Sequence, residues 1–163
     1  MVPQEVVPID LVTRRRLVAL LYRHPPLRAM AWFRFGSALQ HLGVPAIPGW
    51  VQRRLLRLYG LELSVGASIG GGMYIAHPVG CVLAADEIGE DVTVIAQVTF
   101  GTRDDDRWPM LGDRSFFGAG ARVLGGIEIG DGARVGANSV VLDDVEAGAT
   151  VVGAPARRVG GVR

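Results

Sequence analysis

From residue 63 onward the chain repeats itself in units of six residues. The units LSVGAS (from Leu63), IGGGMY (Ile69), IAHPVG (Ile75), IGEDVT (Ile88) and VIAQVT (Val94) come first. After an interruption there follow LGDRSF (Leu111), FGAGAR (Phe117), VLGGIE (Val123), IGDGAR (Ile129), VGANSV (Val135) and VLDDVE (Val141). Each opens on a large aliphatic or aromatic residue. One such unit could be an ordinary strand and turn, but a series this long describes a chain that turns a corner every six residues. Three units then close one triangular coil, and stacked coils form three flat parallel sheets, each burying one face. The first residue of each unit points into the prism. The fifth, as at Val92, Val98, Ser115, Ala121, Ala133 and Ser139, must be small or β-branched to fit beside it. Glycine in second place, as at Gly70, Gly89, Gly112, Gly118, Gly130 and Gly136, is expected to serve a corner that needs permissive backbone angles.

Upstream the period is different. Leu17, Leu20 and Leu21, then Met30, Phe33, Leu39 and Leu42, fall at three- and four-residue intervals, which predicts helices between Asp10 and Tyr59. Pro25 and Pro26 separate the first helix from the second, because neither can donate to a continuing helical ladder. Pro45, Pro48 and Gly49 are expected to separate the second from a third, running roughly from Trp50 to Tyr59. The chain therefore divides into a helical cap, residues 1–60, and a repeat domain, residues 61–163, interrupted by a loop at 101–110.

A chain of 163 residues with 49% apolar residues is too hydrophobic for disorder, and its 23 glycines and 9 prolines interrupt any membrane span. Glu5 and Asp10 stand where a signal peptide would be basic and apolar, so a cytoplasmic location is expected. The single cysteine, Cys81, excludes an internal disulfide and reads as a small buried hydrophobe. Charge is uneven: residues 1–60 carry nine arginines against two acids, and residues 61–163 carry eight against fourteen. Such asymmetry can mark nucleic-acid or membrane contact. Here the arginines alternate with apolar residues at helical spacing, which reads as a solvated helix face without nucleic-acid binding or stable membrane insertion.

The segments GLELSVGASIGGGMYIAHPVG (60–80), IGEDVTVIAQVTFGT, FFGAGARVLGGIEIGDGARVGANSVVLDDV and VVGAPARRVGG resemble the catalytic domain of serine O-acetyltransferases, members of the hexapeptide-repeat acyltransferase superfamily. YRHPPLRAMAWFRFGSAL (22–39) resembles the helical segment that precedes it in those enzymes. The resemblance implies a mainly β fold, a left-handed parallel β-helix of hexapeptide repeats with a small N-terminal helical cap. The handedness comes from the resemblance alone, since parallel crossovers are otherwise almost always right-handed.

The resemblance also implies the site. His77 takes the place of the family's catalytic histidine, and Glu62 that of the acid that orients it, one methylene longer than the family's aspartate. An imidazole can take the proton of an alcohol as it attacks the thioester of acetyl-coenzyme A, the acyl donor, and a carboxylate on its other nitrogen fixes the tautomer. Gly101 is a candidate backbone donor to the oxyanion. Arg107 falls where the family has an arginine near the substrate carboxylate. Gly118, Ala119, Ala121, Gly136 and Ala137 match the small positions along which coenzyme A lies between subunits. Arg157 and Arg158 suit the cofactor's phosphates or form an exposed basic tail, and both readings stand. No metal is expected. Asp104, Asp105 and Asp106 read as a solvated loop tip, and His24 and His41 as ordinary residues of the cap.

Two positions depart from the family. Trp108 replaces a second histidine after the loop arginine, and Ala76 replaces an aspartate before the catalytic histidine. An amino acid zwitterion would lose two polar contacts there, and an unpaired ammonium is costly. The expected acceptor is therefore a sugar or another small non-serine alcohol, with L-serine as the alternative. A homotrimer is expected, doubled to a hexamer through the cap if at all, because neighbouring subunits complete the sites of this superfamily. The sequence stops at Arg163, just past GAPARRVGG, so docking to cysteine synthase through an extended tail is not expected. Among other classes, a zinc carbonic anhydrase needs three converging histidines where the repeat domain has only His77. A nucleotidyltransferase would need a glycine-rich phosphate loop before the repeats. A non-catalytic trimeric scaffold would have no use for the His77 and Glu62 pair.

Overall fold

The computed structural model describes residues 14–163 apart from 45, 64–66, 104–105 and 161–163, with the side chains of 14–18 also left aside. Asp104 and Asp105, and part of the first six-residue unit, lie outside the described residues.

Three helices come first: α1 (Arg14–Arg23), α2 (Pro25–His41) and α3 (Ile47–Tyr59). Pro25 opens α2, where its missing N–H needs no partner. The expected start of α3 at Trp50 is corrected by the same chemistry. The helix begins at Ile47, and Pro48 and Gly49 lie inside its first turn, where the backbone donors have no intrahelical acceptor. Val51, Leu55 and Tyr59 form its buried stripe. Gly60 ends it in the left-handed conformation, with φ 59°, and turns the chain into the first strand.

The repeats wind into a three-sided parallel β-helix. The first sheet stacks β1 (Leu61–Leu63), β4 (Cys81–Leu83), β7 (Thr99–Gly101), β10 (Arg122–Leu124) and β13 (Val140–Val141). The second stacks β2 (Ser68–Ile69), β5 (Glu87–Ile88), β8 (Met110–Leu111) and β11 (Glu128–Ile129). The third stacks β3 (Tyr74–His77), β6 (Thr93–Ala96), β9 (Phe116–Phe117), β12 (Arg134–Val135) and β14 (Thr150–Val152). A last strand, β15 (Arg157–Val159), folds back antiparallel on β14. The first residues of the units align in register, as in Ile75 with Val94 and Val94 with Phe117, so like positions stack up the axis. Phe100, Phe117, Ile75, Ile88, Ile129 and Val135 are all buried, as are the small fifth residues Val92, Val98, Ser115, Ala121, Ala133 and Ser139. Phe100 and Phe117 meet edge to face inside the prism, 4.7 Å between centroids.

The expectation for the second-place glycines is corrected. Gly70, Gly89, Gly112, Gly118, Gly130 and Gly136 do not have positive φ; they are glycines because the next rung lies against them. A β-carbon at Gly112 would stand 2.7 Å from the Asp131 nitrogen, and one at Gly118 would stand 2.6 Å from that of Ala137. Positive φ belongs to the fourth place instead, at Asp91, Gln97, Arg114, Gly120, Gly132 and Asn138. Aspartates then seal the rungs at one corner, where the backbone N–H groups of Glu90 and Asp113 donate to the carboxylates of Asp113 (2.8 Å) and Asp131 (2.9 Å).

A stack of parallel strands ends in unpaired backbone groups that must be covered. At the lower end α3 packs on β1, and the guanidinium of Arg34 donates to the carbonyls of Ile69 (2.6 Å) and Gly70. Phe33, Leu55 and Tyr59 share one continuous core with Leu61, Leu63 and Ile75.

Gly112→Ala should lower stability by about 1–3 kcal/mol, because a methyl must be forced between two backbones. Gly132→Asn should be almost neutral: nothing lies within 4 Å of a β-carbon there, and Asn138 holds the same conformation in the equivalent place. Denaturant midpoints of the two variants would check the contrast.

Candidate active site

His77 ends β3, where the third sheet turns toward the first, and its side chain is exposed. The register pairs it with Ala96 on the rung above. The corner then continues through the Gly120 N–H donating to the Ala96 carbonyl and the Asn138 N–H donating to that of Ala119, both at 2.8 Å. His77, Ala96, Ala119 and Ala137 therefore rise along one corner, a strip about 14 Å long for three rung spacings. Ala119 and Ala137 are exposed on it, with Gly118 and Gly136 behind, where the coils approach most tightly. Ala121 does not line this strip. Its methyl is fully buried in the prism, because the fifth residue of each unit faces the core.

Glu62 lies on β1, outward, across the same corner. The Gly80 N–H donates to the Gly60 carbonyl at 2.9 Å, so the chain entering β1 lies directly below the chain leaving His77. Among the described residues of one protomer, no hydrogen bond or ion pair joins Glu62 to His77. Behind them the buried Cys81 thiol donates to the His77 carbonyl at 3.5 Å. Burial raises its pKa, outweighing the backbone N–H groups of Val98 and Gln97 that act to lower it. Cys81 thus stays a protonated thiol that fixes the turn after His77.

The structure does not bring the loop residues to His77 within one protomer. Gly101 ends β7, and the loop leaves at the corner between the first and second sheets, the width of a sheet away from His77 and more than one rung higher. There Arg107 lies over Gly126, with Leu124 and Ile127 around it, and Trp108 is 39% exposed. Gly101 accepts from the Gly125 N–H at 2.9 Å in the same corner.

Arg157 and Arg158 sit at the top of the stack in exposed ion pairs, Arg157 with Asp143 at 3.6 Å and Arg158 with Glu146. Pairs this exposed contribute about 0–1 kcal/mol and exchange readily.

One residue that sequence reasoning set aside lies near the site. The N-terminus of α2 overhangs β3 and borders an open cavity of about 440 Å³ lined by His24, Pro25, Met30, Met73, Tyr74 and Ala76. His24 thereby shares a cavity with the residue next to His77. The packing of α2 on β3 creates this neighbourhood, and no spacing in the chain announces it. Among the described residues no three His, Cys, Asp or Glu side chains gather as a metal set.

Residues 109–143 match the family model described as bacterial transferase hexapeptide (six repeats). The chain is 40% identical over 146 residues to a serine acetyltransferase of Helicobacter pylori, covering 87% of this chain and 84% of that one. Among solved structures, soybean serine acetyltransferase complexed with serine superposes with TM-score 0.76 at 36% identity, over 80% of this chain and 56% of the soybean chain. A serine acetyltransferase in complex with CoA gives TM-score 0.76 at 32% identity, over 88% of this chain and 66% of that chain. The repeats, their stacking and these likenesses agree: the chain belongs to the serine acetyltransferase family and is an acyltransferase of the hexapeptide-repeat class.

Proposed function

We propose that this chain transfers an acetyl group from acetyl-coenzyme A to the hydroxyl of L-serine. The observation that carries the reading is His77 at the foot of a corner strip of small residues, in a chain whose relatives are serine acetyltransferases. Those relatives favour L-serine over the expected sugar or other alcohol.

In the proposed mechanism the neutral imidazole of His77 takes the hydroxyl proton as the oxygen attacks the thioester carbonyl. The C–S bond then breaks, and the imidazolium returns its proton to the departing thiolate. Glu62 orients the ring and stabilises its charged form. Gly101 offers a backbone donor to the developing oxyanion, and Arg107 a cation to the acceptor carboxylate. Gly118, Ala119, Gly136 and Ala137 leave room for the pantetheine arm, with Arg157 and Arg158 toward the phosphates. Because the loop stands at another corner from its own His77, the loop of a neighbouring subunit serves each site, and the working form is a homotrimer. Sedimentation at micromolar protein should give the trimer mass, and a monomer mass would refute the shared site.

His77→Ala should lower acetyl transfer by about two or more orders of magnitude while circular dichroism stays unchanged. Glu62→Gln should cost less, since it disturbs orientation and leaves the base.

A second reading, an acceptor without an ammonium group, is favoured by Ala76, Trp108 and the largely apolar wall of the cavity beside Ala76. Thiol release from acetyl-coenzyme A across L-serine, L-homoserine, amino sugars and hexoses separates the two. L-serine should turn over with a Michaelis constant in the usual range, about 1 μM to 1 mM. A sugar turned over in preference would establish the second reading.

A further inference from the structure

The cap that closes the prism carries nine arginines between residues 14 and 57 and, over that stretch, no acidic residue. Its outer side is not an ordinary solvated face. On α3 the buried stripe of Val51, Leu55 and Tyr59 turns toward the prism, and the other side exposes Trp50 (46%), Leu56 (52%) and Leu58 (56%) among Arg53 and Arg57. Phe35 on α2 and Leu42, which caps it, are exposed as well. The rings of Trp32 and Trp50 meet edge to face at 5.7 Å, with the Arg54 guanidinium 4.6 Å and 5.3 Å from their centroids. Apolar side chains interleaved with cations, with no anion to balance them, are the composition of a helix that lies in a membrane interface. Tryptophan settles at headgroup depth, and guanidinium groups pair with phosphates.

We propose that the outer side of α2 and α3 docks the protein peripherally on a bilayer rich in anionic phospholipid. The lipid phosphates supply the negative charge that this side lacks. Pairing with a second copy of the same face would set Arg53 and Arg57 against arginines with no acid between them. A nucleic acid would satisfy the arginines and leave Leu42, Leu56 and Leu58 in water. None of the described helices is long and apolar enough to cross a membrane, so the contact is adsorption and not insertion.

The test is co-sedimentation of the full chain with vesicles of phosphatidylcholine alone and of phosphatidylcholine mixed with phosphatidylglycerol. Binding should require phosphatidylglycerol and weaken as salt rises. Arg53→Gln and Arg57→Gln should each lower partition about fivefold, with thermal midpoints and thiol-release rates unchanged, and Trp50→Ala should lower it further with thiol release unchanged. Equal binding to both vesicles, undiminished binding by the arginine variants, stronger binding to duplex DNA at equal phosphate, or a smaller oligomer for Trp50→Ala would each overturn the proposal.

Discussion

Everything in this molecule depends on successive rungs lying close enough for their backbones to touch. The hydrogen bonds of a parallel ladder fix the spacing of the strands, and at the corners that spacing leaves no room for a β-carbon at Gly89, Gly112, Gly118 or Gly130. The interior follows from the same spacing. Each rung supplies large residues such as Ile75, Val94 and Phe117 over one another, and a smaller Val92, Ser115 or Ala133 between them. Since a ladder has two ends, the fold needs two covers. The helices and Arg34 supply one, and the antiparallel β15 the other.

Tight corners also make the candidate site. Where side chains must be small for the coils to stack, the surface is a shallow strip with backbone close beneath it. At the corner of Ala96, Ala119 and Ala137 that strip starts at His77. The first coil breaks the six-residue pattern there, with Pro78, Val79 and Gly80 carrying the chain over to Cys81, and the break frees a polar side chain to stand at the edge. A long flexible acyl donor suits such a strip better than a deep pocket would.

Much of this was legible in the sequence because a six-residue period states directly which residues face inward. The period places the first and fifth residues of each unit inside, but it does not say why glycine recurs in second place: a need for unusual φ and a need for space leave the same residue. The start of α3 is hidden for a related reason, since a proline marks a helix's first turn as readily as its end. Resemblance names candidate site residues one at a time, but not their grouping. Nothing in the spacing tells which corner Arg107 and Trp108 occupy relative to His77. Nor does it tell that Ala121 turns inward, or that His24 overhangs Ala76.

The cover at the lower end also gives the ladder a direction. Gly60 ends a helix and at once offers its carbonyl to Gly80, so the first rung is laid on a finished surface and each later rung on the one before. A ribosome delivers the chain in that same order, helices first and β15 last. Nearest-neighbour stacking lets structure spread from any point that forms early, and the end made first is here the end from which the coils rise. Winding that starts there would run in the same sense as synthesis, each emerging segment meeting a strand edge instead of another unpaired chain.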